Sequence, residues 1–384
     1  MLVTNMDAPT GGIQKNTRLL LREFAGRGIK AYVSARNYHG LAKHEVTADG
    51  TVIRRSPVAG ASMALNGVLY LADAFFWLVR NRKKYDVIHC QQMYGPTMAA
   101  AAANFFVRKP IVTRITLSGK TGEVDAVRTM PLASLRLRLL RRVTRWVALT
   151  NEMRAEIETL GVPPERIDII HNSTEIPETA AFDTQARSSM RAKLGLAWPK
   201  IAVFVGRLSE EKNLDILINA WPAILKRHAD AHLMLLGEGG AFRNVEAELR
   251  ELVDKLGVGD SVHFLGHKDN AKEHVLASDV FVLPTRTEGM SNALVEAFAC
   301  GAAIVATDIE ANKEICVDGE NSILVPVGDA ERLADAIANV LDSADLAERI
   351  GTSARRKAEQ DLSVDTMVTR YIASYRRAIE ANHA

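Results

Sequence analysis

Short apolar runs of β type alternate with helix-period stretches along this chain, and the alternation occurs twice. In the first half the apolar runs fall at 2–5, 31–34, 86–89, 110–115, 146–149 and 167–170. In the second half they fall at 201–205, 232–236, 262–265, 280–283, 303–306 and 322–325. Between them, Leu214, Leu217, Ile218, Trp221, Ile224 and Leu225 recur at the spacing of one helix face, and Ile13, Leu20, Leu21 and Phe24 do much the same. Strands separated by helices pair in parallel, and parallel sheets are covered on both faces. The pattern predicts an α/β chain of two Rossmann-like, doubly wound domains facing a cleft. The polar stretch 173–200, with Pro177 and Pro199, separates them. The expected domains are therefore 1–176 and 177–363, and a final helical segment, 364–384, follows the second sheet and fits against either. A chain of 384 residues is long enough for each domain to bury its own core.

Composition removes several classes. With 47% hydrophobic and 24% charged residues the chain is globular rather than disordered. Its longest apolar stretch, 68–79, is interrupted by Asp73 and falls short of the roughly 20 residues a membrane-spanning helix needs. No basic, apolar leader is visible at the N-terminus, so the expected location is cytoplasmic. Cys90, Cys300 and Cys316 form no C-x-x-C, which suits a reducing compartment and argues against zinc. Charge is uneven: residues 1–180 hold 25 Lys/Arg against 15 Asp/Glu, while the remainder holds 23 against 31. The acidic second half and the sparse interleaving of aromatic with basic residues argue against a nucleic-acid partner.

In parallel sheets, ligands bind beyond the carboxyl ends of the strands, so the chemistry is sought in the turns that follow them. The run 280–283 ends at Pro284 and leads through Glu288, Gly289, Met290 and Ser291 into a helix that carries Glu296. The first amides of that helix, Asn292, Ala293 and Leu294, face outward with the positive end of its dipole and suit an anion. Two carboxylates beside an anion site fit a ligand that also carries hydroxyls, since one carboxylate accepts from two neighbouring sugar hydroxyls. After the run 201–205, Gly206 permits a tight turn, and Arg207 and Lys212 leave from the loop behind it. Two cations there suit a diphosphate without a metal. Gly11 and Gly12 stand between the first run and the first helix, where glycines let backbone approach a phosphate or sugar. His89 ends a strand on the expected cleft side.

Other patterns fail. In Gly237-Glu238-Gly239-Gly240-Ala241-Phe242 the last glycine of a dinucleotide fingerprint is replaced by Phe242. Ser118-Gly119-Lys120-Thr121 ends like a phosphate-binding loop, but Arg114 stands where the first glycine is required. No Asp-x-Asp occurs, so the paired acids that hold a divalent ion on a nucleotide are missing.

Together these residues resemble the retaining nucleotide-sugar glycosyltransferases of the two-Rossmann-domain (GT-B) architecture, family 4. The resemblance runs over nearly the whole chain. It rests on a G-R-L-x(3)-K-N turn from Gly206 to Asn213 and an E-x(7)-E segment from Glu288 to Glu296, with weaker echoes at Gly11-Gly12, His89 and Gly237-Glu238-Gly239. It implies that the second domain holds the donor, that the first holds mainly the acceptor, and that the final helix returns to the first. Arg207 and Lys212 would contact the donor diphosphate, Glu296 the ribose and Glu288 the donor sugar. The amides of Asn292, Ala293 and Leu294 would cap the phosphates, with Gly12 closing from the other domain. Two departures stand out: Thr116 occupies the place of a family histidine after Pro110, and the family's P-N-G turn reads His171-Asn172-Ser173.

The expected activity is a metal-independent, retaining transfer with no cofactor beyond the nucleoside-diphosphate sugar. The competing reading is a sugar-nucleotide epimerase of the same architecture, or a nucleotide-sugar-binding protein without turnover. Six arginines (128, 136, 138, 141, 142 and 145) among leucines, and Phe75, Phe76 and Trp77 before a basic run, point to an anionic membrane surface. The expected acceptor is therefore a lipid- or diphosphate-linked glycan in polysaccharide assembly, with the protein peripheral on the inner membrane face.

Overall fold

The computed structural model describes residues 2–3, 6, 12–37, 41–58, 62–119, 122–240 and 243–383. The chain divides into two units, 1–172 with 364–384, and 173–363. The division falls slightly ahead of the expected boundary. Thr174 already belongs to the second unit, where its N–H donates to the carbonyl of Leu362 at 3.1 Å and it bridges to Ser363.

In the first unit the strands are β1 (Leu2–Val3), β2 (Tyr32–Ala35), β3 (His44–Val46), β4 (Val52–Arg55), β5 (Ile88–Cys90), β6 (Ile111–Arg114), β7 (Arg145–Ala148) and β8 (Ile167–Ile169). They form one sheet in the order β3-β4-β2-β1-β5-β6-β7-β8, parallel except for β3. The hairpin of β3 and β4 is absent from the sequence expectation. β3 is short and wholly exposed, so it carries no apolar run. Its signal lies in the turn instead: Asp49-Gly50 stands between Val46 and Val52, Gly50 has φ 79°, and its N–H donates to Thr47.

The second unit holds β9 (Lys200–Val205), β10 (Ala231–Leu236), β11 (Val262–Gly266), β12 (Val280–Leu283), β13 (Ile304–Thr307) and β14 (Ile323–Val325). All are parallel, in the order β11-β10-β9-β12-β13-β14. The order reverses between β9 and β12, which makes a switch point where the following loops part and leave a crevice. The central strands are buried throughout β12 and nearly so in β9, so they read in the sequence as unbroken apolar runs.

The last helix, Val364–His383, belongs to the first unit. Val364, Met367, Val368, Tyr371, Tyr375 and Ala378 line one face and pack on Leu20, Phe24, Val112, Val147 and Ile170. Asp168, at the centre of β8, fastens it. The carboxylate accepts from Arg145 at 2.7 and 2.8 Å, from Ser374 at 2.6 Å and from Arg377 at 2.7 Å. Burial pushes this carboxyl up, but the hydrogen bonds and the two guanidinium charges outweigh burial and hold it below its usual range. Tyr371 is fully enclosed. Tyr371→Ala should cost about 3–5 kcal/mol through the cavity it leaves. Denaturant unfolding reads this directly, and an unchanged midpoint would contradict the packing.

Candidate active site

The two loops that carry the candidate chemistry leave the neighbouring strands β9 and β12. The chain turns at Gly206, whose N–H donates to Leu236 at 2.9 Å. The loop after β10 lies so close that a Cβ on Gly237 would fall 1.8 Å from the carbonyl oxygen of Gly206, and φ of 137° at Gly237 also demands glycine. Glu210–Lys212 then forms one 3₁₀ turn, ended by Asn213 in the left-handed region with φ 55°.

Asn213 joins the two loops. Its Nδ2 donates to the carbonyl of Pro284 at 3.1 Å, and its Oδ1 accepts from Arg286 Nε at 2.7 Å. The carbonyl of Glu211 accepts from the Thr285 hydroxyl at 2.8 Å and from the Arg286 N–H at 2.9 Å. Thr307, at the end of β13, donates to the carbonyl of Thr285 at 2.6 Å, and Asn312 donates to the carbonyl of Thr307 at 2.8 Å. These bonds fix the spacing between the loops. No sequence pattern marks Thr285, Arg286, Thr307 or Asn312, and the one signal for Asn213 is its place at the close of the G-R-L-x(3)-K-N turn.

Between the loops, Lys212 Nζ meets Glu288 Oε1 in an ion pair whose side chains are each 12% exposed. Arg207, 63% exposed, donates to Glu211 at 2.9 Å. Burial raises the Glu211 carboxyl, but hydrogen bonds from its own backbone and Ser209, with the charges of Arg207 and Lys212, bring it below its ordinary value. The helix Asn292–Ala299 starts beyond Glu288, with Gly289, Met290 and Ser291 buried ahead of it and Glu296 buried about one turn in. The Ser291 hydroxyl caps it by accepting from the Leu294 N–H at 3.3 Å. This corrects the expectation for Leu294, whose amide is taken within the chain; Asn292 and Ala293 stand ahead of it in the first turn.

In the first unit, Gly12 opens the helix Gly12–Gly26, and Gly11 lies outside the described residues. His89 does not face the ligand edge. It is 3% exposed, hydrogen-bonded through Nδ1 to the Tyr375 hydroxyl at 2.6 Å and packed on the Tyr371 ring. It borders a cavity of about 90 Å³ at the amino ends of β2 and β5, with Ala31, Tyr32 and Val87. Cys90, not His89, ends the strand, and alternation turns the imidazole toward the last helix. Thr116 and its neighbourhood form a polar network that no sequence motif announces. The Glu123 carboxylate, 1% exposed, accepts from the Thr116 N–H at 2.8 Å, its hydroxyl at 2.7 Å and the Met93 N–H at 2.6 Å. Burial pushes this carboxyl up against those bonds. Buried Arg114 donates to Gln91 at 3.2 Å and to Asn172.

The model of the family "Glycosyl transferases group 1" matches residues 199–343, and that of "Glycosyl transferase 4-like domain" matches 11–173. The chain is a family 4 glycosyltransferase of the GT-B fold. Among the relatives of this glycosyltransferase is the alpha-D-kanosaminyltransferase of Streptomyces kanamyceticus, 25% identical over 88% of this chain and 92% of that one. The lipopolysaccharide core biosynthesis glycosyltransferase LpsE of Rhizobium meliloti is 30% identical over 62% of this chain and 65% of its own. The fold matches that of Anabaena HepE, solved in complex with UDP-glucose, with a TM-score of 0.77 and 20% identity over 98% of each chain.

Burial, reinforced by Arg114, holds the His89 imidazole well below its ordinary 6.5. Below that pH the unfolded chain binds a proton that the folded chain refuses, so the contribution is complete above about pH 6.5 and is lost as pH falls. The slope reaches roughly 1.4 kcal/mol per pH unit. His89→Asn, which keeps an acceptor near Tyr375, should flatten the acid loss of stability in denaturant titrations. A slope equal to that of the wild type would contradict a buried, neutral imidazole.

Proposed function

We propose that this glycosyltransferase moves a sugar from a nucleoside-diphosphate donor with retention of anomeric configuration and without a metal ion. The observation that carries the reading is the Lys212–Glu288 pair, held between two tied loops at the switch point of the second sheet. In the resting chain Lys212 and Arg207 are each neutralised by a carboxylate. A donor diphosphate takes the place of those carboxylates on both cations. Glu288, released, accepts hydroxyls of the donor sugar, and Glu296 accepts hydroxyls of the ribose. The UDP-glucose complex of Anabaena HepE supports a nucleotide sugar as donor.

As the bond from the anomeric carbon to the diphosphate breaks, its electron pair passes to the β-phosphate oxygen. Arg207, Lys212 and the helix-start amides of Asn292 and Ala293 meet that growing charge. Two fixed cations supply the stabilisation that a divalent ion supplies elsewhere, and the chain has no Asp-x-Asp to hold one. The acceptor oxygen bonds to the anomeric carbon on the face the phosphate leaves, and its proton passes to the departing phosphate oxygen. The acceptor is a lipid- or diphosphate-linked glycan, met at the inner face of a membrane in polysaccharide assembly. The basic excess of residues 1–180 supports that choice, as does the likeness to a lipopolysaccharide core enzyme.

Assayed in excess EDTA with a nucleotide-sugar panel, the wild type should keep its turnover. Arg207→Ala and Lys212→Ala should each lose about 10²–10³-fold. Silence in EDTA with rescue by Mg²⁺ or Mn²⁺, or near-wild-type turnover in both variants, would overturn the reading.

A further inference from the structure

The helix Met63–Arg80 turns an apolar face to solvent. Leu65, Val68, Ala72, Phe76 and Arg80 are all exposed and follow one another at helical spacing, with Phe76 69% exposed. Beside it, the helix Gly95–Val107 ends in Phe105 and Phe106, which are 55% and 61% exposed. The two helices meet through one aromatic edge, the Phe75 ring 5.9 Å from that of Phe106, and within its own helix Phe75 stands 5.3 Å from Phe76. Arg142 stacks its guanidinium 3.4 Å above the Phe105 ring. Trp77, expected at this surface, instead turns inward onto Tyr85 at 5.9 Å.

Exposed aromatic rings gathered in one place mark an interaction surface. Arginines gather around this one. Arg80 and Arg108 end the two helices, and Arg138 and Arg141 are exposed near Arg142. The helix Ala133–Leu140 and the helix Gly95–Val107 contain no acid, and Asp73 of the first helix is paired with Arg54. A second copy of this chain meeting the patch on a two-fold axis would set these cations against themselves. We infer that this face of the first unit lies on an anionic phospholipid bilayer, with Phe76, Phe105 and Phe106 in the acyl boundary and the arginines at the headgroups. No described helix is long and apolar enough to cross a membrane, and a helix lying flat needs no such length. This inference does not rest on the donor-site reading; it gives the proposed lipid-linked acceptor a surface on which to be met.

Co-sedimentation of the whole protein with phosphatidylglycerol vesicles and with neutral phosphatidylcholine vesicles tests it. The wild type should bind the anionic vesicles at least about tenfold more tightly and keep part of that binding in high salt. Phe76→Ser with Phe106→Ser should abolish the salt-resistant part, while Arg138→Ser with Arg141→Ser should weaken the salt-sensitive part by roughly tenfold. Circular dichroism and hydrolysis of donor by water, which needs no acceptor, report whether each variant is folded and its donor site intact. Three outcomes overturn the inference: a wild type that ignores anionic vesicles at low salt, phenylalanine variants that bind as well as the wild type, or a dimer in solution that the same variants dissolve.

Discussion

The reversal of strand order between β9 and β12 is the constraint on which the site depends. Each parallel strand must hand over to a crossover, so the chain leaves the carboxyl edge of the sheet in a loop. At the reversal the two crossovers depart to opposite sides. Arg207 and Lys212 ride on one loop, Glu288 on the other and Glu296 on the helix that follows it. Loops that part in this way need a cross-tie to hold a geometry, and Asn213, Thr285 and Arg286 supply it with buried or half-buried hydrogen bonds. Asn213 suits the position twice, because it tolerates the left-handed backbone there and carries both a donor and an acceptor.

Electrostatics at that site is a matter of exchange. Breaking a buried ion pair by removing one partner typically costs about 3–5 kcal/mol, because the other charge is left uncompensated. In the proposed exchange, a diphosphate entering beside Lys212 supplies a new counter-charge as Glu288 is displaced, so the cation is never stranded. Arg207, far more exposed, gives up its carboxylate at lower cost. The acidic character of the second half of the chain is consistent with a site whose cations are covered until a ligand arrives.

The second sheet is legible because its central strands are buried and leave unbroken apolar runs at 201–205 and 280–283. The hairpin of β3 and β4 leaves no apolar signal because its outer strand has no buried face, and only Asp49-Gly50 announces it. Arg207, Lys212 and Glu288 are visible as charges in turns after strands, and Glu296 as a carboxylate one turn into the helix that follows. Their cross-ties are not, since Asn213 and Arg286 are far apart in sequence and meet only through sheet pairing. The same holds for Glu123, whose partners Met93 and Thr116 come from two different strand ends. The place of His89 is not legible, because the sequence leaves a strand's end uncertain by a residue and successive side chains stand on opposite faces.

The most direct test is calorimetric titration with nucleoside diphosphate alone, comparing wild type, Glu288→Gln and Glu296→Gln. If Lys212 serves the diphosphate and Glu288 covers it at rest, Glu288→Gln should bind at least as tightly as wild type, while Glu296→Gln should bind more weakly. Loss of binding in Glu288→Gln with wild-type affinity in Glu296→Gln would contradict the account.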